Sequence, residues 1–250
     1  MPVTVSTPPD LRDALVVVVG LGASGQSAAR LCLRLGARVR LVDRRQEVDP
    51  ALVDAIKAMG AELILGEHLP EHFAGADVVI PSPGAPLAKL RPLFDPNRPP
   101  EVMGEMELAA RCLADPIIAV TGSNGKTTTV SLMAHMLEAT GRSVFLGGNI
   151  GTPLSEYVLS DEKKDFVVVE VSSFQLQTCV SFRPWVAVLL NLSPNHLDYH
   201  ADMAEYRDAK MCLFQNQLEE DRSILPADLE DELGDHPGLS HSPARKVWYR

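Results

Sequence analysis

The stretch Leu15-Val-Val-Val-Val-Gly-Leu-Gly-Ala-Ser-Gly25 decides the fold class. Its uninterrupted valine run reads as a strand buried on both faces, which is the pattern of a central strand in a parallel sheet. The glycines that follow match G-x-G-x-x-G at the point where such a strand turns into a helix. Residues 27–35 place Ala28, Leu31 and Leu35 at helical spacing. Gly36 is placed to stop that helix before a second strand predicted over 38–42. One βαβ unit is therefore expected, with Asp43 at the end of its second strand, where a ribose hydroxyl is bound in dinucleotide folds. Taken alone the fingerprint says NAD. The same geometry suits any ligand with a diphosphate and a ribose, a UDP-sugar included, and a glycine turn of purely structural purpose also fits. Arg44 and Arg45 add positive charge beside it.

Outward from that unit the alternation continues, with a helix predicted at 51–59 and a strand at 77–80 closed by Pro81-Ser-Pro-Gly84. Residues 91–100 are rich in proline and lack periodicity, so they read as a connection. We place one domain over 1–98 and a second over 99–250. The second restarts the α/β pattern with a helix over 104–113, strands over 117–120, 166–170 and 185–190, and helices over 127–139 and 203–217. Beyond Glu219 the signal is poor, and Lys246-Val-Trp-Tyr-Arg250 reads as a strand cut short, so this domain is expected to be incomplete.

Between strand 117–120 and helix 127–139 lies Thr121-Gly-Ser-Asn-Gly-Lys-Thr-Thr128. Backbone N–H groups and the positive end of the helix would receive phosphate oxygens there. This points to ATP bound by Gly122, Ser123, Asn124, Gly125, Lys126, Thr127 and Thr128. Lys126 would reach the β- and γ-phosphates, and the Thr127 hydroxyl would ligate Mg2+. Val120 stands where the usual pattern has its first glycine, and Gly122 takes that task in a variant loop. Glu170 ends a valine strand as a magnesium-organising carboxylate does in nucleotide hydrolases, although a surface carboxylate would look the same. By spacing alone Lys210 is a solvated helix lysine. His196 and His200 stand four apart but lack the intervening Glu of a zinc helix.

The 250 residues are 46% hydrophobic, enough for two cores, and 23 basic against 33 acidic residues give a net charge of -10. That balance argues against nucleic acid or an anionic membrane as the main partner. Four scattered cysteines suggest neither disulfides nor zinc, the opening residues lack a signal-peptide pattern, and no apolar run is long enough to span a bilayer. A cytoplasmic, unprocessed monomer is expected.

Two nucleotide-type loops in tandem, the second of form T-G-[ST]-N-G-K-[ST], resemble the Mur ligase family. Gly20-Leu-Gly-Ala-Ser-Gly-Gln-Ser27, Ser82-Pro-Gly84, Gly104-Glu-Met-Glu-Leu108, Gly147-Gly-Asn-Ile-Gly151 and Val171-Ser-Ser-Phe-Gln-Leu176 are most similar to its D-glutamate-adding branch. The resemblance covers nearly the whole chain. It implies a Rossmann-like N-terminal domain for the UDP moiety, a P-loop NTPase-like central domain for ATP, and a third domain that is absent here.

The implied reaction is ATP-dependent addition of D-glutamate to UDP-N-acetylmuramoyl-L-alanine through an acyl phosphate, in peptidoglycan synthesis. The alternatives are another Mur-type ligase or a nucleotide-binding fragment inactive alone. By the same resemblance Ser24 falls near the pyrophosphate, and Asp43 and Arg45 near the uridine. Asn149, Ser172 and Gln175 fall on the ATP and muramoyl-alanine region, and Glu170 and His196 on metal ligands. Lys210 falls on the lysine that carries a carbamate, which would turn an ammonium into a carboxylate beside magnesium. The family commonly has Asp before the histidine and Arg after the Leu-Asp pair. Here Asn195 and Tyr199 stand in those places, removing charge from the metal site.

Overall fold

The computed structural model describes residues 8–195 and 200–250. The valine run forms the middle of a five-stranded parallel sheet of order β3-β2-β1-β4-β5. Its strands are β1 (Leu15–Val19), β2 (Arg38–Asp43), β3 (Glu62–Leu65), β4 (Val78–Pro81) and β5 (Glu101–Val102). Val16 to Val19 are all but fully buried, as a strand covered on both faces requires. The first sheet thus reaches just past the proline-rich connection, because Glu101 and Val102 pair in parallel with Val78 and Val79.

The second sheet is also parallel, with order β11-β10-β9-β6-β8-β7. Its strands are β6 (Ile117–Thr121), β7 (Val144–Gly148), β8 (Phe166–Glu170), β9 (Val186–Leu189), β10 (Arg222–Pro226) and β11 (Arg245–Tyr249). Both sheets being parallel agrees with the α/β expectation. The helix predicted over 203–217 is shorter, ending at Met211. Beyond it the chain tightens into three-residue turns, with the Leu213 N–H donating to the Lys210 carbonyl at 3.2 Å and the Phe214 N–H to the Met211 carbonyl at 3.1 Å, and both side chains lie fully in the core.

The two sheets share one continuous apolar cluster, running from Val16 and Leu31 through Met106 and Leu108 to Ala119, Leu154 and Val167. Helix Ala23–Arg34 is its junction, packing against helices Glu105–Arg111 and Leu154–Ser160 of the second unit. The contact is closed by an Arg30–Glu156 ion pair and by Arg34. Arg34 donates from Nη2 to the Val158 carbonyl at 2.5 Å and from Nη1 to Asp161 Oδ1 at 3.0 Å, capping the last turn of helix Leu154–Ser160. Arg34→Ala is expected to cost about 1 kcal/mol in urea unfolding, the size of a single partly exposed cap. An unchanged midpoint would show that the Arg34 cap adds nothing to the junction.

Candidate functional site

Both glycine-rich loops leave the carboxyl end of a central strand, where open α/β sheets bind ligands. In the first loop Gly25 is required by space: a Cβ there would lie 2.0 Å from the Gly20 carbonyl oxygen. The loop therefore closes tightly on the start of helix Ala23–Arg34. It forms one wall of a cavity of about 490 Å³, with Asp43 at the end of β2 and Arg44 just beyond it, Glu67 and His68 beyond β3, and Ser82, Gly84 and Lys89 beyond β4. Asp43 is committed to the protein. It accepts from the Leu21 N–H at 2.8 Å, and from the Arg45 N–H and Nε at 2.9 Å each. Partial burial pushes its carboxyl up, but these bonds and the Arg45 charge outweigh that and hold it at about 2. Arg45 is thus spent on Asp43, and Ser24 stands at the second residue of the helix.

The second loop is built like a phosphate cradle. Gly125 sits at φ +81°, a backbone conformation that favours glycine, and heads helix Lys126–Ala139. The Lys126 ammonium folds back to donate to the carbonyls of Gly122 at 2.9 Å and Ser123 at 3.1 Å. The Thr127 hydroxyl donates to Glu170 Oε2 at 2.7 Å, and Asn149 Nδ2 donates to Glu170 Oε1 at 2.9 Å. Glu170 is 2% exposed, a buried carboxylate whose described hydrogen-bond donors are a hydroxyl and an amide.

Lys210 is 1% exposed, not the solvated lysine that its spacing suggests. Its Nζ donates to the Gly122 carbonyl at 3.0 Å and lies 4.5 Å from the Tyr206 ring centroid. Burial first, and then the Lys126 charge, bring its pKa down to about 7, with Glu170 opposing. Lys126, Thr127, Asn149, Glu170 and Lys210 therefore converge around one loop from four elements. Hard oxygen donors from Thr127 and Glu170 suit Mg2+, provided that Lys210 is not an ammonium. Among the described residues no three His, Cys, Asp or Glu side chains gather as a metal cluster.

Ser172 and Gln175 bond to each other, capping helix Ser173–Leu176: the Ser172 hydroxyl donates to Gln175 Oε1 at 3.0 Å. His196, with Asp198 and Tyr199, lies outside the described residues. His200 is buried, its Nε2 2.9 Å from the Ser173 hydroxyl and its ring stacked on Phe174. Sequence reasoning missed Asn191, which accepts from the Ser123 N–H at 3.1 Å and the Asn124 N–H at 2.9 Å through one side-chain oxygen. It also missed Tyr206, whose hydroxyl is 3.0 Å from the Ser123 hydroxyl. No local pattern marks either residue. The one available signal is that Asn191 lies two residues beyond the buried strand β9, where loops carry function.

A diphosphate-type loop on one parallel sheet and a lysine-bearing phosphate loop on a second define a two-unit α/β protein with two candidate nucleotide sites. Residues 14–92 match the Mur ligase MurD-like N-terminal domain, and residues 120–237 match the Mur ligase middle domain. The chain belongs to the Mur ligase family, carrying its N-terminal and middle domains. It is 53% identical over 248 residues to the UDP-N-acetylmuramoylalanine--D-glutamate ligase of Oleidesulfovibrio alaskensis, covering 96% of this chain and 55% of that one. It is 54% identical over 238 residues to the ligase of the same description from Nitratidesulfovibrio vulgaris, covering 94% and 54%. The chain thus spans about half the length of the curated relatives it matches. The crystal structure of UDP-N-acetylmuramate:L-alanyl-gamma-D-glutamyl-meso-diaminopimelate ligase from Neisseria meningitides superposes with a TM-score of 0.57 at 19% identity. That match covers 94% of this chain and 78% of that one, and it is a likeness of fold.

Proposed function

We propose that the chain holds the UDP-substrate and ATP sites of an ATP-dependent ligase that adds D-glutamate to UDP-N-acetylmuramoyl-L-alanine. The observation that carries this reading is the gathering of Lys126, Thr127, Glu170 and Lys210 around one phosphate loop, beside a separate cavity at a diphosphate-type loop. In the proposed reaction the muramoyl-alanine carboxylate attacks the γ-phosphorus of ATP, and ADP leaves. The D-glutamate amine then attacks the acyl phosphate, and inorganic phosphate leaves.

Catalysis of this kind is positioning plus neutralisation of charge. Lys126 exchanges its two loop carbonyls for phosphate oxygens. Thr127 and Glu170 supply the oxygens that hold Mg2+, which neutralises charge on the transferring phosphoryl group when bound. Lys210, with its pKa brought down to about 7, has a large neutral fraction at pH 7 that can take up carbon dioxide, and as a carbamate it would add a second anion beside Glu170. His196 is the remaining proposed metal ligand. Asn149, Ser172 and Gln175 border the acyl end of the substrate, while Ser24, Asp43 and Arg45 frame its nucleotide end. The incoming amino acid would be gripped mainly by a further domain, so the 250-residue chain is expected to turn over poorly alone. The working protein is read as a cytoplasmic monomer. No helix among the described residues is long and apolar enough to cross a membrane.

Calorimetric titration with UDP-N-acetylmuramoyl-L-alanine and separately with NAD, each with and without magnesium-ATP, tests the reading. Binding of the UDP compound and not of NAD supports it, and binding of NAD alone overturns it. Lys126→Ala is expected to weaken magnesium-ATP binding tenfold to a hundredfold, the loss of about 1.5–3 kcal/mol of charge-assisted hydrogen bonding. The same substitution should leave binding at the first loop unchanged.

A further inference from the structure

The cavity at the first loop carries a charge pattern that the resemblance does not assign. Asp43 is neutralised by Arg45, so the wall's remaining charged groups are Arg44, Lys89 and Glu67. His68 adds no charge, because burial first and then Arg44 push its pKa down. Neither Arg44 nor Lys89 forms an ion pair or a side-chain hydrogen bond among the described residues, although the chain as a whole carries a net charge of -10. Unpaired cations on an acidic protein, facing one cavity, are a site for an anion.

Their places in the fold sharpen this. The sheet order is β2-β1-β4, and β1 runs into the Gly20–Gly22 turn. Arg44 directly follows β2, and Lys89 lies in the short helix after β4. The two cations therefore stand on opposite sides of the turn whose backbone meets the ligand at the start of helix Ala23–Arg34.

We propose that Arg44 and Lys89 form a two-sided clamp on the diphosphate, making this a site for nucleoside diphosphate conjugates that discriminates against the bare nucleoside. The proposal rests on the reading of the first unit as the UDP site and adds the residues that read its charge. Arg44 offers a planar fork and Lys89 a mobile point charge, so the pair can follow both phosphates without a metal ion.

The test is calorimetric titration of the chain with UDP, UMP, uridine and NADP, for the wild type, Arg44→Gln, Lys89→Gln and the double variant. Each single substitution is expected to weaken UDP about tenfold and the double about a hundredfold, with uridine unchanged. The salt dependence of UDP binding should flatten in the double variant. Both side chains are exposed, so unliganded melting temperatures should match the wild type and exclude misfolding. If the wild type binds UDP and the double variant binds it equally well, the clamp is wrong and the UDP reading stands. If the wild type binds neither UDP nor uridine, the underlying reading fails and the clamp with it. Preference for NADP, lost in Arg44→Gln, would instead make Arg44 a reader of a ribose 2′-phosphate and overturn the clamp.

Discussion

Between pH 7 and 10 Lys210 is expected to contribute more stability as the pH rises, and Lys210→Met is expected to remove that contribution. The buried thiols, Cys32 at about 12 among them, act in the opposite sense above their ordinary 9, so the difference between the two proteins isolates the lysine. The folded pKa of Lys210 is about 7, whereas its ordinary value is 10.5. Between those limits the unfolded chain holds a proton that the folded chain does not, so a rise in pH favours the folded state. Below pH 7 both states are protonated, and the folded protein bears the full cost of a buried ammonium, on the order of 5 kcal/mol. Methionine keeps the length and apolar body of the side chain but has nothing to charge. Urea unfolding of both proteins across this range, in metal-free and carbon-dioxide-free buffer, should show the variant several kcal/mol more stable at the acid end, with the curves converging at the alkaline end. Parallel curves would mean that Lys210 remains charged in the fold. Isotopically labelled bicarbonate should give a carbamate carbon signal in the wild type and none in Lys210→Met.

The second large effect is expected at Glu107. Its fully buried carboxylate accepts from the N–H groups of Ser181 and Phe182 at 2.9 Å each and of Val180 at 3.1 Å, and from Arg111 Nε at 2.8 Å. It thereby pins the turn that follows helix Ser173–Leu176. Glu107→Ala strands three backbone donors and leaves Arg111 with Glu101 as its one remaining carboxylate, at a cost of about 3–5 kcal/mol. Glu107→Gln, which keeps one acceptor, should fall between. Urea midpoints decide: an alanine variant within about 0.5 kcal/mol of the wild type would show that water replaces the carboxylate at no loss.

Glu107 also marks what the sequence could and could not disclose. The segment Gly104-Glu-Met-Glu-Leu108 stands out as a family-like motif, yet nothing in it says which acid is spent on a turn more than seventy residues away. The two phosphate-type loops were legible because glycine, lysine and threonine act there through backbone geometry fixed within eight residues. β1, β6 and β8 were legible because a strand buried on both faces is written as an unbroken apolar run. β3, β7 and β10 were not. They are short or interrupted, as Glu62-Leu-Ile-Leu65, Val144-Phe-Leu-Gly-Gly148 and Arg222-Ser-Ile-Leu-Pro226, and they take their conformation from neighbours already in the sheet. Asn191 and Tyr206 reach the second loop from far along the chain, and the burial of Lys210 follows from that same closure. Periodicity within one helix carries no record of it.

The shared apolar cluster and the helix Ala23–Arg34 that runs through it make the protein a caliper. The jaw at Gly20 and the jaw at Gly122 are fixed to one close-packed interior that does not stretch. On the proposed function, a conjugate seated by its nucleotide end would be measured along its length, and only one whose reactive end spans the gap would meet the phosphate loop. Analogues with a longer or shorter arm would bind at the first jaw and miss the second, so selection by length needs no contact with the arm itself.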